Sequence, residues 1–254
     1  HKAIAVIQFK LEGQLLARHP EYNLTRHIGL NNVNFQDMTV DIEGKSYPMR
    51  DTYLPTIDPK DPCKLTQEEA ALMDVLAASF QHSEKLQKHI KFLYSHGSMY
   101  RTYNNNLMYH GCIPMDEKGN FRSYTFTEGS YSGKAMLDYI NKIASRAYYG
   151  GCSKEKRQCA IDFMWYLWCG QDSPLYGKDK MTAFEHYFIE DKSTYKETYD
   201  PYYRLNNQVE ICDKILREFG LDPTHGHIIN GHVPVKKIEV GGQAVLGRQG
   251  SLTT

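Results

Sequence analysis

Apolar residues Ile4, Ile7, Leu11 and Leu15 recur at three- and four-residue steps, so residues 3–17 predict a helix that Pro20 follows. From Met38 to Tyr53 the period drops to two. Val40 and Ile42 alternate with polar neighbours, Glu43-Gly44-Lys45 turns the chain, and Tyr47 and Met49 resume the alternation, which predicts a hairpin. Pro55, Pro59 and Pro62 then mark a loop. Thr66-Gln67-Glu68-Glu69 forms a capping box, in which hydroxyl and carboxylate each satisfy an amide of the first turn. One helix is expected from there to His96, with Leu72, Leu76, Leu86, Ile90 and Leu93 as its buried stripe. Residues 106–113, NLMYHGCI, are short, apolar and bounded by turn signals, and predict a buried strand that ends at His110-Gly111. Further helices are expected over residues 134–149, 158–168, 182–189 and 208–219, and a last strand over 228–235. The pattern as a whole is α+β and mostly helical, with a hairpin and a few core strands.

Composition narrows the partners more than the fold. The 254 residues carry 30 basic and 30 acidic side chains, and no run of five or more basic residues occurs. Neither a nucleic-acid nor an anionic-membrane partner is therefore expected. The apolar stretch at residues 3–7 is too short for a membrane span or a signal peptide. Cysteines at 63, 112, 152, 159, 169 and 212 show no C-x-x-C pair, which predicts reduced thiols in the cytoplasm. The chain begins at His1 rather than Met and enters a periodic segment at once, as a piece of a longer polypeptide would.

Several apparent motifs carry no expected chemistry. GSYSGKA (129–135) has the wrong spacing for a phosphate loop, although Lys134 stands at a helix start where amides can meet an anion. FMWYLW (163–168) suits a packed helix better than a cofactor site. His82, His89 and His96 recur every seven residues on one expected helix, but no acidic partners accompany them at helical spacing. The histidines of HGHIINGHV (225–233) pose a sharper question. His110 and His232 each follow a short apolar strand and adjoin a glycine, a context that serves either a structural imidazole or a metal ligand.

The segments NNNLMYHGCIPMDEKGN (104–120), WYLWCGQDSPLYGKDKMTAFEHYFI (165–189) and LDPTHGHIINGHVPVK (221–236) resemble the class III fructose-1,6-bisphosphatases of bacteria. AIAVIQFKLEGQLL and FQHSEKLQKHIKFL are similar to the same family, so the likeness spans residues 1–239, with 240–254 a divergent or truncated tail. The resemblance implies a four-layer αββα metallophosphoesterase fold with a helical insertion over roughly residues 114–220. It implies two Mn²⁺ ions at strand ends, in a ligand set that would also take zinc, iron or magnesium. By the same analogy His110 and His232 are metal ligands, His227 is a possible third ligand or a group orienting its neighbour, and His225 is structural. The implied substrate is fructose 1,6-bisphosphate, cleaved at its 1-phosphate in gluconeogenesis. Lys178 and Lys134 are candidates to meet its phosphates, and a homo-oligomer is possible.

The family's Asp-x-His, Gly-Asp with Asp-Arg, and Gly-Asn-His motifs are absent from this sequence and are expected upstream of His1. Two rival expectations follow: a catalytically incomplete helical module serving assembly or regulation of a larger enzyme, or a metallophosphoesterase with another phosphorylated substrate.

Overall fold

The computed structural model describes residues 1–126 and 128–233, together with the backbone of residues 251–253. In chain order the main elements are α1 (Lys2–Arg18), β1 (Val33–Asn34), β2 (Thr39–Ile42), β3 (Lys45–Pro48), α2 (Gln67–His82), α3 (Glu84–His96), β4 (Tyr100–Tyr103) and β5 (Asn106–Tyr109). They continue with β6 (Tyr124–Phe126), β7 (Gly129–Tyr131), α4 (Gly133–Tyr149), α5 (Lys154–Cys169), α6 (Ala183–Phe188), α7 (Tyr202–Leu205), α8 (Val209–Glu218), β8 (His227–Asn230) and β9 (Ser251–Thr253). The chain divides into two compact units.

One unit comprises residues 1–95 and 180–197. The expected hairpin is present as β2–β3, pairing Ile42 with Lys45 across a two-residue turn. Glu43 and Gly44 both adopt positive φ there, 52° and 80°, the geometry that matches strand twist. Helix α1 turns Val6, Phe9 and Lys10 inward, and the Phe9 ring meets Phe184 of α6 edge to face at 5.1 Å between centroids. The capping box forms as read: the Glu69 amide donates to Thr66 Oγ1 at 3.2 Å and the Thr66 amide to Glu69 Oε2 at 2.9 Å.

The helix it starts does not run to His96. It stops at His82, Ser83 leaves helical geometry (φ −72°, ψ 100°), and a second helix starts at Glu84. The Ser83 hydroxyl accepts from the Leu86 amide at 3.4 Å, a capping signal hidden inside an otherwise periodic run. The expected stripe is not buried either. Leu72 and Leu93 remain 41% and 62% exposed, and no residue of α3 is buried.

The other unit comprises residues 96–179 and 198–254. Its sheet runs in the order β4-β5-β8-β9, with β4 antiparallel to β5 and β5 parallel to β8. The parallel pair forces a long crossover, and β6, β7, α4, α5, α7 and α8 all lie within it. Alternation gives the sheet two unlike faces. Leu107, Tyr109, Ile228 and Asn230 are buried, and Tyr100 on the same face packs edge to face on Phe219 at 4.8 Å, just beyond α8. Arg101, Met108 and Ile229 occupy the opposite face.

The strand expected over residues 106–113 ends at Tyr109, and that over 228–235 is observed as His227–Asn230, its last two positions falling outside the described residues. Helix α5 begins four residues earlier than its apolar pattern, at Lys154, because Ser153 Oγ caps it through the Lys156 amide at 3.3 Å. Within it Phe163, Tyr166 and Leu167 are buried while Trp168 is exposed, so FMWYLW packs on one broad side. No helix among the described residues is long and apolar enough to cross a membrane.

Candidate metal centre

Strands β5 and β8 end together, at the paired residues Tyr109 and Asn230. Two hydrogen bonds fasten the chains just beyond: the Gly231 amide donates to the His110 carbonyl at 2.8 Å, and Asn230 Nδ2 to the Gly111 carbonyl at 2.9 Å. Asn230 is 3% exposed, and its role as a clasp was not legible from its place in an apolar run. The chain then passes against the segment around Pro174, whose carbonyl accepts from the Cys112 amide at 2.9 Å. A Cβ on Gly111 would stand 2.4 Å from that carbonyl oxygen, so only glycine fits this crossing.

That segment is itself rigidly built. Ser173 is fully buried, its hydroxyl donating to the Leu167 carbonyl at 2.6 Å and accepting from the Leu175 amide at 3.2 Å. Gly177 has φ +62° and lies against the Tyr203 ring. Asp200 donates its amide to the Gly177 carbonyl at 2.9 Å, while its Oδ1 accepts from the Met115 and Tyr202 amides at 3.1 and 2.8 Å. Burial pushes the Asp200 carboxyl up to about 6.

On this frame the two strand-end histidines converge. His110 Nε2 lies 3.1 Å from His232 Nδ1, and His232 Nε2 lies 3.0 Å from the Tyr176 carbonyl oxygen. A carbonyl only accepts, so it selects the His232 tautomer protonated at Nε2 and leaves the Nδ1 lone pair facing His110. His232 reaches this position through a positive φ of 71°, a conformation that its neighbour Gly231 does not need. Burial, and then the neighbouring His232, hold the His110 imidazole below its ordinary pKa and favour its neutral, metal-binding form. Metal–imidazole bonds of about 2.0–2.1 Å place two ligands of one ion about 3.0–3.4 Å apart. The 3.1 Å separation of the pair falls in that range and is equally that of a hydrogen bond between the two rings.

The remaining candidates fall in different places. Lys178 sits on the loop that orients His232, two residues beyond Tyr176, with its ammonium 5.4 Å from the Tyr176 ring centre and 5.3 Å from that of Tyr199. His227 pairs with Asn106 at the opposite end of the sheet, about 13 Å of strand from His110, and is not brought to the pair. His225 bonds Asp222 at 3.0 Å and is exposed. Lys134 bonds Asp138 at 2.7 Å, and its amide at the start of α4 donates to Glu218 Oε1 at 3.0 Å, so a side chain already occupies the place an anion would take. His82 turns back to the Ala78 carbonyl at 2.8 Å, and the break at Ser83 separates it from His89 and His96. Among the described residues no group of three or more His, Cys, Asp or Glu side chains is placed to hold a metal ion.

Comparison with known proteins gives this geometry a context. The profile of the family described as Firmicute fructose-1,6-bisphosphatase matches residues 1–252, and so continues past residue 239. The chain is 54% identical over 236 residues to a protein of Clostridium tetani named fructose-1,6-bisphosphatase class 3, covering 93% of this chain and 36% of the relative. Proteins of the same name from Alkaliphilus metalliredigens and Clostridium beijerinckii are 50% and 48% identical, each covering 99% of this chain and 38% of the relative. The chain thus spans somewhat over a third of the length of the curated relatives it matches. No solved structure matches it.

Proposed function

Because the chain belongs to the Firmicute fructose-1,6-bisphosphatase family, we propose that it forms part of the catalytic core of an enzyme that hydrolyses fructose 1,6-bisphosphate to fructose 6-phosphate and phosphate, as a step of gluconeogenesis. His110 and His232 supply imidazole ligands to a Mn²⁺ site, and the carboxylates that complete a two-cation centre come from polypeptide that the relatives have in addition. When bound, a pair of divalent cations supplies Lewis acidity toward the phosphate and a water-derived nucleophile near neutral pH. This chain's own contribution is orientation. The Tyr176 carbonyl fixes the His232 tautomer, Gly111 and Asn230 lock the two strand ends, and Lys178 stands on the same loop as a cation for substrate phosphate.

The carrying observation is the convergence of two imidazole nitrogens 122 residues apart in sequence to 3.1 Å. A four-layer αββα arrangement is consistent with the sheet's helix-covered face and its open opposite face. Residues 114–220 read as the helical insertion carried between β5 and β8. All six cysteines are free thiols, which suits a cytoplasmic enzyme.

The test is to measure bound Mn²⁺ and phosphate release from fructose 1,6-bisphosphate in the complete polypeptide, in wild type and in His110→Ala and His232→Ala. Both substitutions are expected to abolish turnover and to remove metal. Undiminished metal content in both variants would overturn the assignment. A second reading, a non-catalytic module of a larger enzyme, is favoured for the isolated 254 residues by their want of a three-ligand cluster among the described residues. Phosphate release by this chain alone would exclude it.

A further inference from the structure

A cleft of about 570 Å³ opens beside His110, lined among others by His96, Ser98, Arg101, Met108 and Ile229. Arg101 stands on the edge strand β4 opposite Met108, which in turn faces Ile229 on β8. Side chains alternate along a strand, so these three share the sheet face that the helices leave open. His110 lies two positions beyond Met108. It stands one residue past the end of β5, and Arg101 and His110 both line the cleft.

Among the described residues the charge on Arg101 has no counterion. Arg122 is paired with Asp172, Arg146 with Glu128 and Arg204 with Glu117. Arg101 is exposed and has no acidic or hydrogen-bonding partner among the described residues. A guanidinium at the rim of a cleft presents a planar fork that matches two oxygens of a phosphate. Its neighbours on the floor, Met108 and Ile229, are half-buried and apolar, a surface suited to the carbon face of a sugar.

We propose that Arg101 holds the phosphate that is not cleaved, so that a sugar bisphosphate lies along the open face of the sheet with its reacting end at the histidine pair. The inference rests on the phosphatase reading above and adds the anchor for the far end of the substrate. Where such an anchor makes the same contacts in ground state and transition state, its removal raises KM and leaves kcat unchanged.

The experiment uses the complete polypeptide loaded with Mn²⁺, as wild type, Arg101→Ala and Arg101→Lys, with melting temperatures checked for intact folding. Turnover is compared on fructose 1,6-bisphosphate and on fructose 1-phosphate, which lacks the far phosphate. Binding of fructose 6-phosphate, which retains it, is measured by calorimetry and needs no turnover. For Arg101→Ala, KM for the bisphosphate and Kd for fructose 6-phosphate are expected to rise roughly ten- to a hundredfold, with fructose 1-phosphate kinetics unchanged. Arg101→Lys is expected to recover part of the loss.

Equal effects on both substrates, or fructose 6-phosphate binding that is unchanged in Arg101→Ala or absent from wild type, would overturn the inference. Failure of the wild-type protein to release phosphate from either sugar would instead overturn the phosphatase reading, and the binding comparison would still decide the role of Arg101.

Discussion

The hydroxyls of Tyr109 and Tyr202 meet at 2.6 Å in a fully buried pair that ties the strand leading to His110 onto α7. Burial pushes both phenols well above their ordinary pKa, so the contact is between neutral hydroxyls. Removing one of them takes this partner from the other in a site without water to replace it. Tyr109→Phe is expected to cost about 1–3 kcal/mol in urea unfolding. The double variant Tyr109→Phe/Tyr202→Phe should cost clearly less than the two single losses added, and strict additivity would show that the pair does not interact.

Gly111→Ala probes the frame of the metal centre without touching a ligand. The new methyl would sit 2.4 Å from the Pro174 carbonyl oxygen, which is backbone and gives way only if the loop to Tyr176 moves. Movement of that loop shifts the carbonyl that selects the His232 tautomer. Mn²⁺ affinity is expected to fall about 10–100-fold, the range for lost support of a ligand. Affinity equal to wild type would show that the loop does not set the ligand geometry.

Glu185 gives a pH prediction with a definite sign. It is fully buried, and among the described residues no other residue hydrogen-bonds to either carboxyl oxygen. Burial pushes its carboxyl from the ordinary 4.5 up to about 7; its own backbone amide, then Lys180 and His27, pull it down while Glu197 adds to the rise. The folded chain then holds a proton that the unfolded chain releases between those values, so its contribution to stability is complete below 4.5 and is lost as pH rises through 7. The loss is of the order of 3 kcal/mol at 1.36 kcal/mol per pKa unit. Glu185→Gln should therefore flatten the fall in unfolding free energy between about pH 4.5 and pH 7. An unchanged slope would show that another group carries it.

What could be read in advance followed from local rules. The Glu43-Gly44 turn and the Thr66–Glu69 box are set by chemistry within four residues, and both formed as expected. The strand-end histidines were legible as candidates because each adjoins a glycine after an apolar run. Their convergence was expected only through the family resemblance; local rules could not give it, since it depends on parallel pairing of strands more than a hundred residues apart and on a carbonyl from a third segment. The break at Ser83 was missed because one capping hydroxyl interrupts a period that continues on either side of it. Lys134 misled for a related reason: a helix start invites an anion, but the occupant is Glu218, 84 residues away.

Lys10 shows how far a long-range partner can overrule a local pattern. It lies on the inward side of α1 with no exposure at all, and its ammonium meets Glu69 Oε2 at 2.7 Å and donates to the Thr56 carbonyl. The same Glu69 oxygen accepts from the Thr66 amide, so one carboxylate both neutralises a buried cation and starts α2. Lys10→Met leaves a largely buried carboxylate without its cation, at an expected cost of about 3–5 kcal/mol. Glu69→Leu leaves the ammonium behind and also opens the capping box, so it should cost at least as much. Lys10→Met/Glu69→Leu removes both charges together, and the remaining penalty should be chiefly the lost cap, about 1 kcal/mol. Urea unfolding of the four proteins measures the coupling. Because the pair is shielded from solvent, that coupling should also survive high salt, whereas a surface pair would be screened. Additive single losses would mean that Lys10 is held by the Thr56 carbonyl rather than by the carboxylate.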